Sequence, residues 1–254
     1  MRIHVVNPNT TASMTEKIAA AARAAASPGV EILATNPAYG PESIEGYYDE
    51  VFSIPGLIEE IRGGAGADAV VIACFDDTGL DAARCATEVP VIGIGEAAFH
   101  VASLIAERFS VVTTLARSIA PIEHNLVRYG LASRCARVRA CEVSVLALDD
   151  PASGARAAIR AEVEAALSDD GAEAIVLGCA GMTDLAASLA QAVGAPVLDG
   201  VACAVALAEA LARLGLRTSK RTSYAAPLPK RYAGAFARFA PAFSFPRTPP
   251  LTSR

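Results

Sequence analysis

Two cysteines stand at equivalent points of an internal repeat. Residues 67–74 read ADAVVIAC and residues 172–179 read AEAIVLGC, so Cys74 and Cys179 end two matching apolar runs. A thiol has an ordinary pKa of about 8.5 and can donate or remove a proton near neutral pH. Inversion of a stereocentre by proton transfer needs a base on one face and an acid on the other. The pair therefore predicts a racemase site in which two thiols face each other across a small substrate.

Local structure is expected to activate both thiols. Each cysteine ends a predicted strand directly before a predicted helix, where backbone N–H groups and the positive helix end lower a thiol pKa. Backbone N–H groups near Phe75 and Asp76, and near residues 180–182, are expected to hold an enolate intermediate. The alternative is that a buried cysteine is only a small apolar residue. That interpretation is preferred for the cysteines without an equivalent in the repeat, which are Cys85, Cys135, Cys141 and Cys203.

The elements that must position the thiols repeat as well. Short β-rich runs alternate with Ala-rich helical stretches, and residues 3–10 and 89–93 match residues 109–116 and 195–199. This pattern predicts an α/β fold of two similar doubly wound parallel-sheet (flavodoxin-like) halves, related by a pseudo-twofold axis. Because ligands bind at the carboxyl ends of parallel strands, the site is expected in the cleft between the halves. The predicted domains are residues 1–98 with about 208–234, residues 99–207, and a Pro-rich basic tail over 235–254.

Composition limits the partners and cofactors. The net charge is −5, yet eight of the 22 Lys and Arg residues and none of the 27 acids lie in residues 216–254. This segment is expected to wrap the acidic body or a neighbouring subunit rather than to bind nucleic acid. The chain shows neither a leader pattern nor an apolar run of about 18 residues, so we expect a cytoplasmic protein without membrane contact. The spacing of Cys and His predicts neither a zinc site nor a disulfide framework.

Several further side chains are candidates for the site. The amide of Asn9 could donate to and accept from a substrate, or it could cap the helix near Thr11. Thr114 is expected to make contacts either with the ligand or with a loop. One acid of the pair Asp76 and Asp77 is expected to cap the helix after Cys74, although an acid beside a thiolate would raise the thiol pKa.

A long Pro-, Gly- and Tyr-rich stretch is expected to lie over the cleft. It covers residues 36–53 and contains Ile44, Tyr47 and Tyr48. Such a loop is predicted to act as a lid and side-chain pocket, with an ordinary aromatic cluster as the alternative. His100 and His124 fall in predicted helices and are expected to be surface or packing residues.

Four motifs give the chain a resemblance to a known family. They are Asn7-Pro8-Asn9-Thr10, the SIEGYY stretch of residues 43–48, Ala73-Cys74-Phe75-Asp76-Asp77, and Gly178-Cys179-Ala180-Gly181-Met182. Together they resemble the hydantoin racemase family, which includes allantoin racemases, within the aspartate/glutamate racemase superfamily. The resemblance covers about residues 1–234. It implies cofactor-independent racemisation of 5-monosubstituted hydantoins or allantoin by Cys74 and Cys179, in a homo-oligomer.

The expected substrate-binding residues are Pro8, Asn9, Ile44, Tyr48, Phe75, Asp76, Thr113, Thr114, Ala180, Gly181 and Met182. Amino-acid racemases resembling glutamate racemase have polar residues after the second cysteine, whereas residues 180–182 are neutral and suit a ring with a variable side chain. Three alternatives stay open. They are an amino-acid racemase, an enzyme resembling maleate isomerase or arylmalonate decarboxylase, and a two-lobed small-molecule binding protein without enzymatic activity.

Overall fold

Two four-stranded parallel sheets form the framework of the chain. The computed structural model describes residues 1–64 and 66–241. The first sheet has the strand order β2-β1-β3-β4 and the second has the order β6-β5-β7-β8, so both follow one topology. The strands are β1 Arg2–Val6, β2 Glu31–Thr35, β3 Ala69–Ile72, β4 Val91–Gly93, β5 Phe109–Thr113, β6 Cys135–Ala140, β7 Ala174–Leu177 and β8 Val197–Asp199. The predicted fold of two similar doubly wound halves is confirmed.

Helices cover both faces of each sheet. They are α1 Ala12–Ala25, α2 Tyr47–Gly63, α3 Leu80–Ala86, α4 Ile94–Ile105, α5 Ile119–Arg128, α6 Ala155–Ser168, α7 Ala186–Val193 and α8 Gly200–Arg213. All residues of β3 and β7 are buried, because both strands are central and have helices on either side. His100 and His124 lie in α4 and α5, as predicted.

Strand register places the two cysteines at matching positions. Val6 of β1 lies opposite Ile72 of β3, and Val112 of β5 lies opposite Leu177 of β7. Each cysteine lies two residues beyond the end of its strand. Because all strands in a sheet run in one direction, both thiols leave the carboxyl edge, where ligands bind in open α/β sheets.

The two halves share one core through an exchange of helices. Helix α4 follows the first sheet but also packs on β7, while α8 follows the second sheet and packs on β3 and α1. Phe99 of α4 stacks on Phe109 of β5 with ring centroids 6.0 Å apart. The main apolar cluster therefore contains residues of both sheets. The predicted domain boundaries, which divide α4 after residue 98 and α8 at about residue 208, stay a prediction.

The described part of the basic segment lies along the first half. Arg238 pairs with Glu59 at 2.8 Å and lies over the ring of Tyr39, while the Tyr224 hydroxyl donates to Asp81 at 3.2 Å. These contacts agree with a segment wrapped on the acidic body; residues 242–254 lie outside the described range. No helix within the described ranges is long and apolar enough to cross a membrane.

Candidate active site

Both cysteines line one cavity between the halves. The cavity is small, with a volume of about 40 Å³. The lining residues come from both halves and are Asn7, Pro8, Asn9, Met14, Ile44, Ala73, Cys74, Phe75, Asp76, Thr114, Ser118, Val145, Gly178, Cys179 and Ala180. The structure thus brings Cys74 and Cys179 together with most of the predicted substrate-binding residues.

Cys74 lies in the loop between β3 and α3. Its Sγ is 3.3 Å from the hydroxyl oxygen of Thr78, and the backbone N–H of Asp76 also contacts the thiol. Burial raises the pKa of Cys74 well above its ordinary value, and the negative charge of Asp76 raises it further. The contacts with Thr78 and the Asp76 N–H oppose this rise because they stabilise the thiolate.

Cys179 lies directly before a 3-10 helix over Ala180–Leu185. Burial raises its pKa to about 12, and the charge of Asp76 adds to the increase. The backbone N–H of Gly181 and the charge of Lys17 act in the opposite direction. Asp76 therefore influences both thiols.

The expectation of acidified thiols is wrong, because burial raises the pKa of both cysteines. Helix α3 begins only at Leu80, six residues after Cys74, so its positive end does not adjoin that thiol. Cys179 does precede a helical turn, but the cost of burying a thiolate exceeds the effect of the turn.

The two acids after Cys74 have separate roles. The Asp76 side chain lines the cavity, and burial, followed by the charges of Glu50 and Asp77, raises its pKa to about 7. Asp77 accepts hydrogen bonds from the backbone N–H groups of Gly95 at 3.0 Å and Glu96 at 2.8 Å. It therefore caps α4 and not α3, which corrects the prediction. The reason is that the loop, with Asp77 at φ 52°, turns this side chain away from α3.

Asn7 organises the polar end of the cavity. Its Nδ2 donates to Asn9 Oδ1 at 2.9 Å and to Thr15 Oγ1 at 3.0 Å. Asn9 Oδ1 also accepts from the Thr11 N–H at 2.9 Å, while its Nδ2 points to Met14 Sδ at 3.2 Å. The Asn9 oxygen therefore supports the turn before α1, in agreement with part of the capping alternative. Contact of Asn9 with a substrate stays a prediction.

Four predicted binding residues do not line the cavity. Tyr48 lies on α2 with 77% of its surface exposed and packs on Phe52, because α2 begins at Tyr47 and turns this ring outward. Thr113 is buried behind the cleft, where its hydroxyl donates to the Gly178 carbonyl at 3.0 Å. Met182 is fully buried because the 3-10 helix directs it into the second-half core. The backbone N–H of Gly181 contacts the Cys179 thiol, but Gly181 is not among the residues that line the cavity.

A bridge between the halves closes the cavity. Ile44 and Val145 line it from opposite halves. The Val145 N–H donates a hydrogen bond of 2.8 Å to the side chain of Glu45, the residue after Ile44. Lys17 of α1 also pairs with Asp149 at 2.5 Å. Within the segment predicted as a lid, residues 36–46 form a loop and residues 47–53 belong to α2, whereas the lid role stays a prediction.

Sequence reasoning missed several lining residues. Met14, Ser118 and Val145 have no signal in the repeat, since the segments after β1, β5 and β6 that carry them do not match in sequence between the halves. Asn7 lies in the first of the four motifs, where its amide is a signal of the same kind as that of Asn9. Across residues 1–64 and 66–241, no group of three or more His, Cys, Asp or Glu is placed to hold a metal ion.

Known proteins resemble this chain over most of its length. Residues 3–208 match the family described as Asp/Glu/hydantoin racemase. A hydantoin racemase of Rhizobium meliloti is 50% identical over 236 residues, which cover 92% of this chain and 98% of the relative. A hydantoin racemase of Pseudomonas sp. strain NS671 is 47% identical, with 94% and 97% covered. The structure of allantoin racemase from Klebsiella pneumoniae superposes with a TM-score of 0.92 at 48% identity, covering 95% of this chain and 99% of that one.

Proposed function

Because this chain belongs to the Asp/Glu/hydantoin racemase family and is a racemase, we propose that it racemises 5-monosubstituted hydantoins or allantoin at ring carbon C5. The observation that carries the proposal is the cavity with Cys74 and Cys179 in its walls. The curated relatives that are named hydantoin racemases support the substrate class. Racemisation needs no net redox change, so two proton-transferring side chains are sufficient for the chemistry.

One thiol acts as base and the other as acid. In one direction the Cys74 thiolate removes the C5 proton while the Cys179 thiol donates a proton to the opposite face; in the reverse direction the roles exchange. Removal of the proton gives an enolate at the neighbouring ring carbonyl. No hydrogen bond within the described part of the chain engages the backbone N–H of Phe75 or Ala180, so both can donate to this enolate. Each follows directly after a cysteine.

The polar and apolar parts of the cavity fit a neutral ring. Asn9 Nδ2 and Asp76 can bind ring carbonyl and N–H groups, while Ile44, Val145 and Met14 can contact a variable side chain. Among the described residues, no Lys or Arg lines the cavity to pair with the carboxylate of a free amino acid. These features favour a hydantoin over aspartate or glutamate.

Activity toward a small panel of substrates tests the proposal. The L- and D-forms of 5-benzylhydantoin, allantoin, aspartate and glutamate are incubated separately with the enzyme and a chelator, and the enantiomers are separated on a chiral column. We expect racemisation of one or both hydantoins above the rate without enzyme, and none of the amino acids. Racemisation of the amino acids alone, or of none of the four, would contradict the proposal.

A further inference from the structure

Helix α5 contacts the Cys74 loop from the other half of the chain. Asn125 Nδ2 donates to the carbonyl oxygen of Asp76 at 2.8 Å. One turn later, the Tyr129 hydroxyl donates to Asp77 Oδ2 at 2.7 Å. Both contacts lie within three residues of Cys74 along the chain, although α5 follows the first strand of the second sheet. The first thiol is thus held partly by the second half.

The loop itself is in a conformation that needs such support. Asp77 has φ 52°, a left-handed backbone that is uncommon for residues other than glycine. Its carboxylate is buried and its acceptor atoms are engaged by Gly95, Glu96 and Tyr129. The backbone of Asp76 makes two contacts. Its N–H contacts the Cys74 thiol, and its carbonyl oxygen accepts the hydrogen bond from Asn125. A shift of this loop would therefore move the thiol and its N–H contact together.

The Cys179 loop is held differently. Cys179 precedes a 3-10 helix, and the Met182 N–H donates to its carbonyl oxygen at 3.1 Å. Its contact from the other half is made by Lys17, whose Nζ donates to the Gly181 carbonyl at 3.4 Å. Asn125 and Tyr129 make no hydrogen bond to this loop among the described residues. Loss of Asn125 should consequently affect one thiol and spare the other.

We propose that Asn125 is a positioning residue for Cys74, with Tyr129 as its second contact, so that a helix of the second half sets the geometry of the thiol of the first. The inference rests on the proposed function, because it assigns each thiol to one face of the substrate. A displacement of a reacting group by about 1 Å can cost roughly 100-fold in rate. The hydrogen bond from Asn125 therefore matters for the Cys74 step even though Asn125 is not in the cavity lining.

Single-cysteine variants separate the two thiols. In Cys179→Ser only Cys74 can exchange the C5 proton, and in Cys74→Ser only Cys179 can. The exchange of each enantiomer of 5-benzylhydantoin or allantoin in deuterated water is followed by loss of the C5–H signal in proton NMR. Asn125→Asp replaces the donor by an acceptor of the same size. We expect this change to lower exchange about 10- to 100-fold in the Cys179→Ser background and to leave it within about twofold in the Cys74→Ser background.

Two further variants keep the test decisive if Asn125→Asp folds poorly. Tyr129→Phe removes only a hydroxyl and should lower Cys74-dependent exchange in the same selective way. His124→Ala changes a neighbouring exposed residue of α5 whose ring contacts Tyr47, and it should alter neither background. An equal loss in both backgrounds, or no loss in the Cys74-dependent one, would overturn the positioning role. If neither single-cysteine variant nor the unmodified enzyme exchanged any C5 proton, the proposed function itself would fail, and the inference with it.

Discussion

Cys74 and Cys179 line one cavity although they belong to different sheets, each two residues beyond a buried central strand of matching register. Two thiols that approach a ligand from separate halves can reach opposite faces of it. The duplicated topology determines where the two thiols lie. Their pKa values depend instead on the groups around each loop, which differ between the halves.

The pH dependence of kcat/KM should have its acid limb above the ordinary thiol pKa of about 8.5, because burial raises the pKa of both free thiols. Asp76→Asn should move this limb to lower pH. The sign follows because removal of a negative charge beside a thiol stabilises its thiolate and lowers its pKa. The measurement is kcat/KM for racemisation from about pH 7 to about pH 12, because burial raises the pKa of Cys179 to about 12.

Asp150→Asn is the matched control for this profile, since Asp150 is exposed and does not line the cavity. It should leave the limb in place. An acid limb below pH 7, or a shift of the Asp76→Asn limb to higher pH, would show that another group governs the rate.

Glu45→Ala should weaken substrate binding. The change removes the acceptor for the Val145 N–H and so loosens the bridge beside Ile44. A hydrogen bond to a charged group contributes about 1.5–3 kcal/mol, so we expect KM to rise about tenfold or more while kcat changes less. Steady-state kinetics with the preferred substrate checks this. Glu42→Ala, an exposed position in the same segment, should behave as the unmodified enzyme; equal kinetics of the two variants would disprove the closing role.

Much of the site could be predicted because it lies in strand ends and their first loops. The repeat located Cys74 and Cys179, and the residues directly beside them, Phe75, Asp76 and Ala180, do line the cavity. The thiol pKa could not be obtained in the same way, since the start of α3 at Leu80 and the burial of both thiols depend on tertiary packing.

The predictions from sequence failed mainly for residues that are distant in sequence from the two cysteines. Ser118 and Val145 reach the cavity from the segments after β5 and β6, whose sequences differ from those of the corresponding segments after β1 and β2. Tyr48 was misplaced because α2 begins one residue earlier, within the stretch that composition marked as a loop. The exchange of α4 and α8 between the sheets is likewise a property of packing, since local sequence does not say which sheet a helix will cover.

Gly95→Ala should destabilise the protein and lower its activity. A Cβ at this position would overlap the carbonyl oxygen of Phe75 and approach Asp77 Oδ2, so the Cys74 loop would have to move. Overpacking of this kind costs about 1–3 kcal/mol of unfolding free energy. Gly63→Ala is the control, because a Cβ there meets no atom within 4 Å and should be neutral or slightly stabilising. Urea unfolding compares the two; equal stability would contradict the described packing of the loop.

The most direct test of the account is deuterium exchange at C5 with Cys74→Ser and Cys179→Ser, each supplied separately with the two enantiomers of the preferred hydantoin in deuterated water. The two-thiol mechanism predicts that both variants lose racemisation by several orders of magnitude and that any residual exchange is confined to one enantiomer, opposite for the two variants. Racemisation at an undiminished rate by either variant, or exchange of the same enantiomer by both, would contradict the two-thiol mechanism.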